Sequence, residues 1–153
     1  VSTDLGVLST LSTATTTATF SVKSYLAGGY VVQTASDPPS SFGLNAHTIS
    51  ALATPTAAAT GQEQFGINLV ENASPAIGDD PLQVPSSSFS FGEAAPGYDT
   101  PDLFKYVKGD TVALSNSSSG QTDYTVSYIY NIATQTAAGE YQFPHVLVAT
   151  STF

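Results

Sequence analysis

Residues 121–133 read QTDYTVSYIYNIA, and their alternation decides the fold class. Tyr124, Val126, Tyr128, Tyr130 and Ile132 fall on one face of an extended chain. Thr125, Ser127 and Asn131 fall on the other, and only Ile129 breaks the pattern. Successive side chains of a strand point to opposite faces, so one apolar and one polar face marks a strand packed against a core from one side. The same period recurs elsewhere. Phe65, Ile67 and Leu69 alternate with Gln64, Gly66 and Asn68, while Phe20, Val22 and Leu26 alternate with Ser21, Lys23 and Tyr25. Near the end, Tyr141, Phe143, Leu147, Ala149 and Phe153 alternate with Gln142, Val148, Thr150 and Thr152. Shorter candidate strands lie at 5–8, 30–35, 47–53, 87–91, 103–107 and 111–115.

Turn chemistry separates these runs: Gly28-Gly29, Asp37-Pro38-Pro39, Gly78-Asp79-Asp80-Pro81, Lys108-Gly109-Asp110 and Gly139. The spacing predicts a tight hairpin across 107–111 and a longer one joining 121–133 to 140–152. The one Ala-rich stretch, PTAAATG at 55–61, opens on Pro and closes on Gly, leaving room for a single helical turn. The expectation is an all-β, antiparallel β-sandwich of about nine strands, Greek-key or fimbrial-like, with negligible helix and a barrel as the second choice. A single domain over 1–153 suits the length. Two segments stand apart: the hydroxyl tract STLSTATTTAT at 9–19, and the Pro-rich, acidic 72–101, read as a long surface excursion.

Three lysines and no arginine stand against 12 acidic residues, a net charge of −9. Neutralising phosphates needs Lys and Arg, so nucleic-acid partners are excluded, and anionic bilayer surfaces with them. No run of 18 apolar residues provides for membrane insertion. Twenty serines and twenty threonines carry solubility instead of charge, a composition that fits an extracellular or cell-surface setting. Cys, Met and Trp are absent, so there is no disulfide framework, no thiolate nucleophile and no thiolate metal site. The opening Val1-Ser2-Thr3, without Met or a leader-like segment, predicts a processed product or a fragment of a longer precursor.

Residues able to carry chemistry are few. His47 and His145 come without an HExxH pattern or a Gly-x-Ser-x-Gly elbow, and read as sheet histidines. Asp79, Asp80, Asp99 and Asp102 are the calcium candidates, although neither pair follows the EF-hand loop, and turn or capping roles compete. The same carboxylates offer a glycosidase pair as a third functional reading. Lys23 falls on the polar face of its strand, where an edge charge blocking unwanted pairing outranks a Lys–Asn cross-link; Lys105 and Lys108 are the other cations. Tyr124, Tyr128 and Tyr130 share one face, as core, as a subunit interface or as a carbohydrate-stacking platform. Asn72-Ala73-Ser74 and Asn116-Ser117-Ser118 match the short N-glycosylation pattern. No cofactor is expected.

The stretches DLGVLST (4–10), ATFSVKSYLAGGYVVQT (18–34), EQFGINLVEN (63–72), LFKYVKGDTVA (103–113), TDYTVSYIYNI (122–132) and GEYQFPHVLVATSTF (139–153) carry a resemblance. Together they resemble a family of uncharacterised secreted β-rich surface proteins of candidate-phylum bacteria, the Saccharibacteria and their relatives. The closing strand is similar to that of fimbrial and WxL-type surface proteins, but without the Trp-x-Leu motif. The resemblance implies a structural or adhesive role at the cell surface, and sequence upstream of Asp4 in family members. The leading expectation is a non-enzymatic subunit that pairs with itself, as a homo-oligomer or filament, by strand complementation. Leu5, Val7, Leu8 and Leu11 are then the apolar anchors of a donated strand. The alternative is a carbohydrate-binding β-sandwich module that takes surface glycans as partners.

Overall fold

The 121–133 alternation becomes the longest strand of the molecule. In the computed structural model, which describes residues 2–153, it is the tenth of twelve strands: β1 Ala14–Ser24, β2 Tyr30–Thr34, β3 Ser40–Ser41, β4 Gln64–Asn68, β5 Asn72–Ala73, β6 Ala76–Ile77, β7 Leu82–Val84, β8 Glu93–Ala94, β9 Thr111–Ser115, β10 Ser119–Asn131, β11 Tyr141–Gln142 and β12 Leu147–Ser151. The chain is all-β, with antiparallel sheets packed face to face. One sheet runs β1–β10–β4, with β7 pairing the start of β10; the other runs β12–β2–β9–β8. Two-stranded ribbons, β11–β3 and β5–β6, complete it.

Register explains which faces meet. Tyr124, Val126 and Tyr128 of β10 point inward beside Phe65 and Ile67 of β4, against Tyr30 and Val32 of β2 and Val112 of β9; all eight are buried. Burying a large apolar side chain contributes about 1.5–3 kcal/mol, so this layer supplies much of the drive to fold. The opposite face of β10 is polar but not wet along its second half. Segment 53–62 folds over it, where Asn131 Nδ2 and the Ala59 N–H both donate to Gln64 Oε1 at 3.1 and 2.8 Å. Gly78 packs against Ser127. Ile129, the residue that broke the alternation, is fully buried beneath this outer layer.

Several expectations are corrected. β1 starts at Ala14, inside the hydroxyl tract, because Thr-rich ATTTAT suits a pleated, half-exposed edge. Residues 5–8 form no strand, and 87–91 form a turn with Phe89 and Ser90 N–H both donating to the Ser86 carbonyl. Segments 47–53 and 103–107 contribute isolated bridges only. Neither predicted hairpin exists. The 107–110 turn is closed by Asp110 N–H on the Val107 carbonyl, but β9 pairs β2 and β8. The 139–153 run breaks into β11, on β3, and β12, on β2, with Phe143–Val146 between them. Residues 72–101 are no peripheral excursion: they hold β5 to β8 and bury Ala94, Ala95 and Tyr98.

Candidate functional site

β1 and β12 are the outer strands of their sheets on one side of the sandwich, and among the described residues neither has a partner on its free edge. At one end they close together, where Ser24 Oγ donates to Ser151 Oγ at 3.3 Å. At the other end a groove of about 1380 Å³ opens between them, lined by Thr16, Ala18, Tyr128, Tyr130, Phe143 and Leu147 among others. The opening follows from the sequence of the two edges. The β1 residues opposite Tyr130, Tyr128 and Val126 are Ala14, Thr16 and Ala18. On β12, the residues opposite the buried Val32 and Tyr30 are Ala149 and Ser151. Side chains this small cannot span the roughly 10 Å between packed sheets. Phe20, stacked on Tyr124 at 4.9 Å, and Leu147 fill the parts that are filled.

The floor of the groove is aromatic and internally hydrogen-bonded. The Phe143 ring lies 4.7 Å from Phe65, 5.4 Å from Tyr106 and 4.9 Å from the stacked imidazole of His145. His145 lies between strands rather than within one, and it ties the two sheets together. Tyr128 O–H donates to His145 Nδ1 at 2.7 Å, and His145 Nε2–H donates to Thr34 Oγ1 at 2.9 Å. Thr34 donates in turn to the Tyr106 hydroxyl, which donates to the Ser36 carbonyl at 2.7 Å. That last acceptor orients the whole chain and sets the neutral imidazole with its proton on Nε2. With no carboxylate in this hydrogen-bonded relay, burial pushes the His145 pKa down to about 4. Burial also raises the phenols of Tyr128 and Tyr130 well above the usual range, which keeps the floor uncharged.

Over this groove lies the N-terminal segment. Ser2–Leu8 and Thr10 border it without joining either sheet. The side-chain hydrogen bonds of this segment are local, Gly6 N–H to Asp4 and Leu11 N–H to Ser9. Leu5 and Leu8 are half-buried, whereas Val7 is 99% and Leu11 88% exposed.

Other sequence-predicted residues sit elsewhere. Tyr124 and Tyr128 are buried, Tyr128 in the floor of the groove, and Tyr130 lines the groove as a partly buried ring, so the three rings make no open stacking platform. His47 is held by Glu63 at 2.9 Å on the far side of the β3 ribbon. Burial pushes the Glu63 carboxyl up, but hydrogen bonds from Thr136, His47 and Ser50 outweigh it and hold the pKa at about 2. Asp80 accepts from the Glu71 N–H, Asp99 from the Gly97 N–H, and Asp102, at φ 63°, from the Ala73 and Ser74 N–H groups. Asp79 is exposed. Among the described residues, no three His, Asp or Glu side chains gather as a metal site. Lys23 is exposed on edge strand β1; Lys105 pairs with Asp110 and Lys108 with Asp37. Asn72 is buried, its amide nitrogen donating to Asn68, Val70 and Ile77, while Asn116 is exposed in the turn before β10. Among the described residues, no helix is long and apolar enough to cross a membrane.

The sequence presents Phe143 only as one inward position of the closing strand and His145 only as a sheet histidine, and it marks none of the small inward residues of β1. The Thr-Ala alternation of 14–19, read as part of a hydroxyl tract, is the one sequence signal that could mark an underfilled edge. No family model, curated protein or solved structure matches the chain.

Proposed function

We propose that this chain is a non-enzymatic structural or adhesive protein of the cell surface, and that its copies assemble by strand complementation. In this reading the N-terminal segment of one copy enters the open groove of the next. One observation carries it: two unpaired edges, lined inside by Ala and Thr, flank an aromatic floor, while apolar Val7 and Leu11 on the same chain stand in water. In an extended segment Leu5, Val7, Ser9 and Leu11 share one face, which supplies the large side chains that Ala14, Thr16 and Ala18 leave out. The inserted backbone would satisfy the free N–H and C=O groups of an edge that otherwise invites uncontrolled pairing. The resemblance to secreted surface proteins and the hydroxyl-rich, low-charge composition support the same setting.

Deleting residues 1–11 tests it, with light scattering and negative-stain electron microscopy as readouts. A truncated chain that stays folded but no longer forms higher-order species supports the reading. Unfolding of the truncated monomer, or an intact chain that never assembles at any concentration, refutes it.

A further inference from the structure

At the opposite end of β10 from the groove, the outer face of its sheet carries a second concavity. It is a shallow, open cleft of about 430 Å³ lined by Lys23, Tyr25, Pro85, Phe89, Gly120 and Gln121. Gln121 lies on the opposite face of β10 from Val126 and Tyr128, so the cleft opens on the outer side of the sheet and the groove on its inner side, and the two cannot share an occupant.

Two aromatic side chains here do not pack. Tyr25 is 74% and Phe89 65% exposed, and each forgoes about 1.5–3 kcal/mol that burial would contribute. Phe89 is not exposed by looseness. Its N–H donates to the Ser86 carbonyl at 3.1 Å, and its own carbonyl accepts the Gly120 N–H at 2.8 Å. On either side, the Ser90 hydroxyl donates to the Val84 carbonyl at 2.5 Å, and the Phe91 N–H to Ser119 Oγ at 2.8 Å. Gly120 is there because the loop comes so close: a Cβ would sit 2.6 Å from Ser90 Oγ and 2.9 Å from the Phe89 carbonyl oxygen. A fixed backbone thus holds the ring out in water.

The polar groups beside the rings are unspent. Lys105 and Lys108 have carboxylate partners, whereas Lys23 has none within ion-pair distance among the described residues. Gln121 Nε2 donates to Asp123 Oδ1 at 2.7 Å, which fixes the amide and leaves Oε1 as an acceptor. Exposed rings, one ammonium donor and one oriented amide acceptor on a shallow surface match the chemistry of a sugar. The C–H face of a pyranose lies on an aromatic ring, and its hydroxyls both accept and donate. With Asp123 beside it and a net charge of −9, the surface disfavours an anionic ligand.

We propose that this cleft is a carbohydrate-binding site for neutral hexopyranose units, stacked on Tyr25 and Phe89 and hydrogen-bonded by Lys23 and Gln121. It is independent of strand donation and leaves the cleft free on an assembled copy, as an adhesive subunit requires.

The test is amide-resolved NMR of the whole chain, titrated separately with the linear tetrasaccharides of glucose, N-acetylglucosamine, galactose and mannose to about 10 mM, a range that detects millimolar affinities. At least one should shift the amides of 23–25, 86–91 and 120–121. Tyr25→Ala and Phe89→Ala should each weaken it about tenfold or more, a loss of about 1.4 kcal/mol or more. Melting temperature and self-assembly should not change. Absence of shifts with all four sugars overturns the proposal, as do shifts that survive the Tyr25→Ala/Phe89→Ala double variant. So does loss of assembly in either single variant, which would make the cleft a contact between copies.

Discussion

The hydroxyls of Tyr30 and Tyr124 meet at 2.8 Å between the two sheets, where both residues are buried. Each phenol is the other's shortest hydrogen-bond partner, the Glu93 carbonyl lying 3.5 Å from the Tyr124 hydroxyl, and Gly92 lies against the pair because a side chain there would collide with both oxygens. Burial, with the Tyr30 hydroxyl beside it, pushes the Tyr124 phenol far above the usual range.

This pairing makes a double-mutant cycle informative. Tyr124→Phe or Tyr30→Phe alone strands a buried hydroxyl and should cost about 1–3 kcal/mol. The double variant removes both polar atoms and should cost clearly less than the sum, with a coupling of at least about 0.5 kcal/mol. Chemical denaturation of the four proteins reads this directly, and strict additivity would mean the two hydroxyls do not interact.

Acid should weaken the fold in two separate steps. His145 has its pKa pushed from the ordinary 6.5 to about 4, so the unfolded chain binds the proton first. Its contribution is therefore complete above pH 6.5 and is lost as pH falls toward 4, by about 3 kcal/mol at most. Glu63 is held at about 2 against an ordinary 4.5, so its contribution is present above 4.5 and is lost as pH falls toward 2. Urea midpoints measured across this range should fall in both windows. His145→Gln should flatten the upper window only, and Glu63→Gln the lower one only.

Ser127 offers the opposite sign. Its hydroxyl is buried without a hydrogen-bond partner among the described residues, pressed against Gly78. A buried donor left unmade costs about 1–3 kcal/mol, so Ser127→Ala should be neutral or stabilising. Gly78→Ala should be strongly destabilising, because φ is +87° and the new Cβ would strike Ser127 Oγ. Thermal melts should show Ser127→Ala unchanged or raised and Gly78→Ala clearly lowered, and a large loss in Ser127→Ala would mean that its hydroxyl does make a hydrogen bond.

The fold class was legible because the period of two needs only local sequence. Tyr124, Val126 and Tyr128 announce their face whichever strands they meet. Pairing was not legible: β10 takes β1, β4 and β7 as neighbours, across separations of roughly a hundred residues for β1, and no local turn encodes that. Thr34 and Tyr106 were equally hidden, since their roles at His145 come from three distant segments meeting. The groove sits between these extremes. Leu5, Val7, Leu8 and Leu11 stand out as apolar anchors in a polar tract, although Leu8 has the opposite parity in an extended segment. The space that would receive them is an absence, written only in the smallness of Ala14, Thr16, Ala18 and Ala149.

That absence gives the most discriminating test of assembly. A donated strand must obey the same alternation as the sheets it joins, so Leu5, Val7 and Leu11 enter together and Thr10 faces away. Val7→Asp and Leu11→Asp would bury a charge over Phe143 and Tyr130 and should each abolish assembly. Thr10→Asp, on the other parity, should leave it largely intact. Because Val7 and Leu11 are almost fully exposed within one copy, neither substitution should move the monomer's melting temperature by more than the equivalent of about 0.5 kcal/mol. A filled groove should also shield His145, so amide exchange at 143–147 should slow on assembly of the parent chain and of Thr10→Asp, but not in Val7→Asp. Equal behaviour of the two parities would mean that the segment does not insert as a strand, and that whatever joins the copies lies outside the groove.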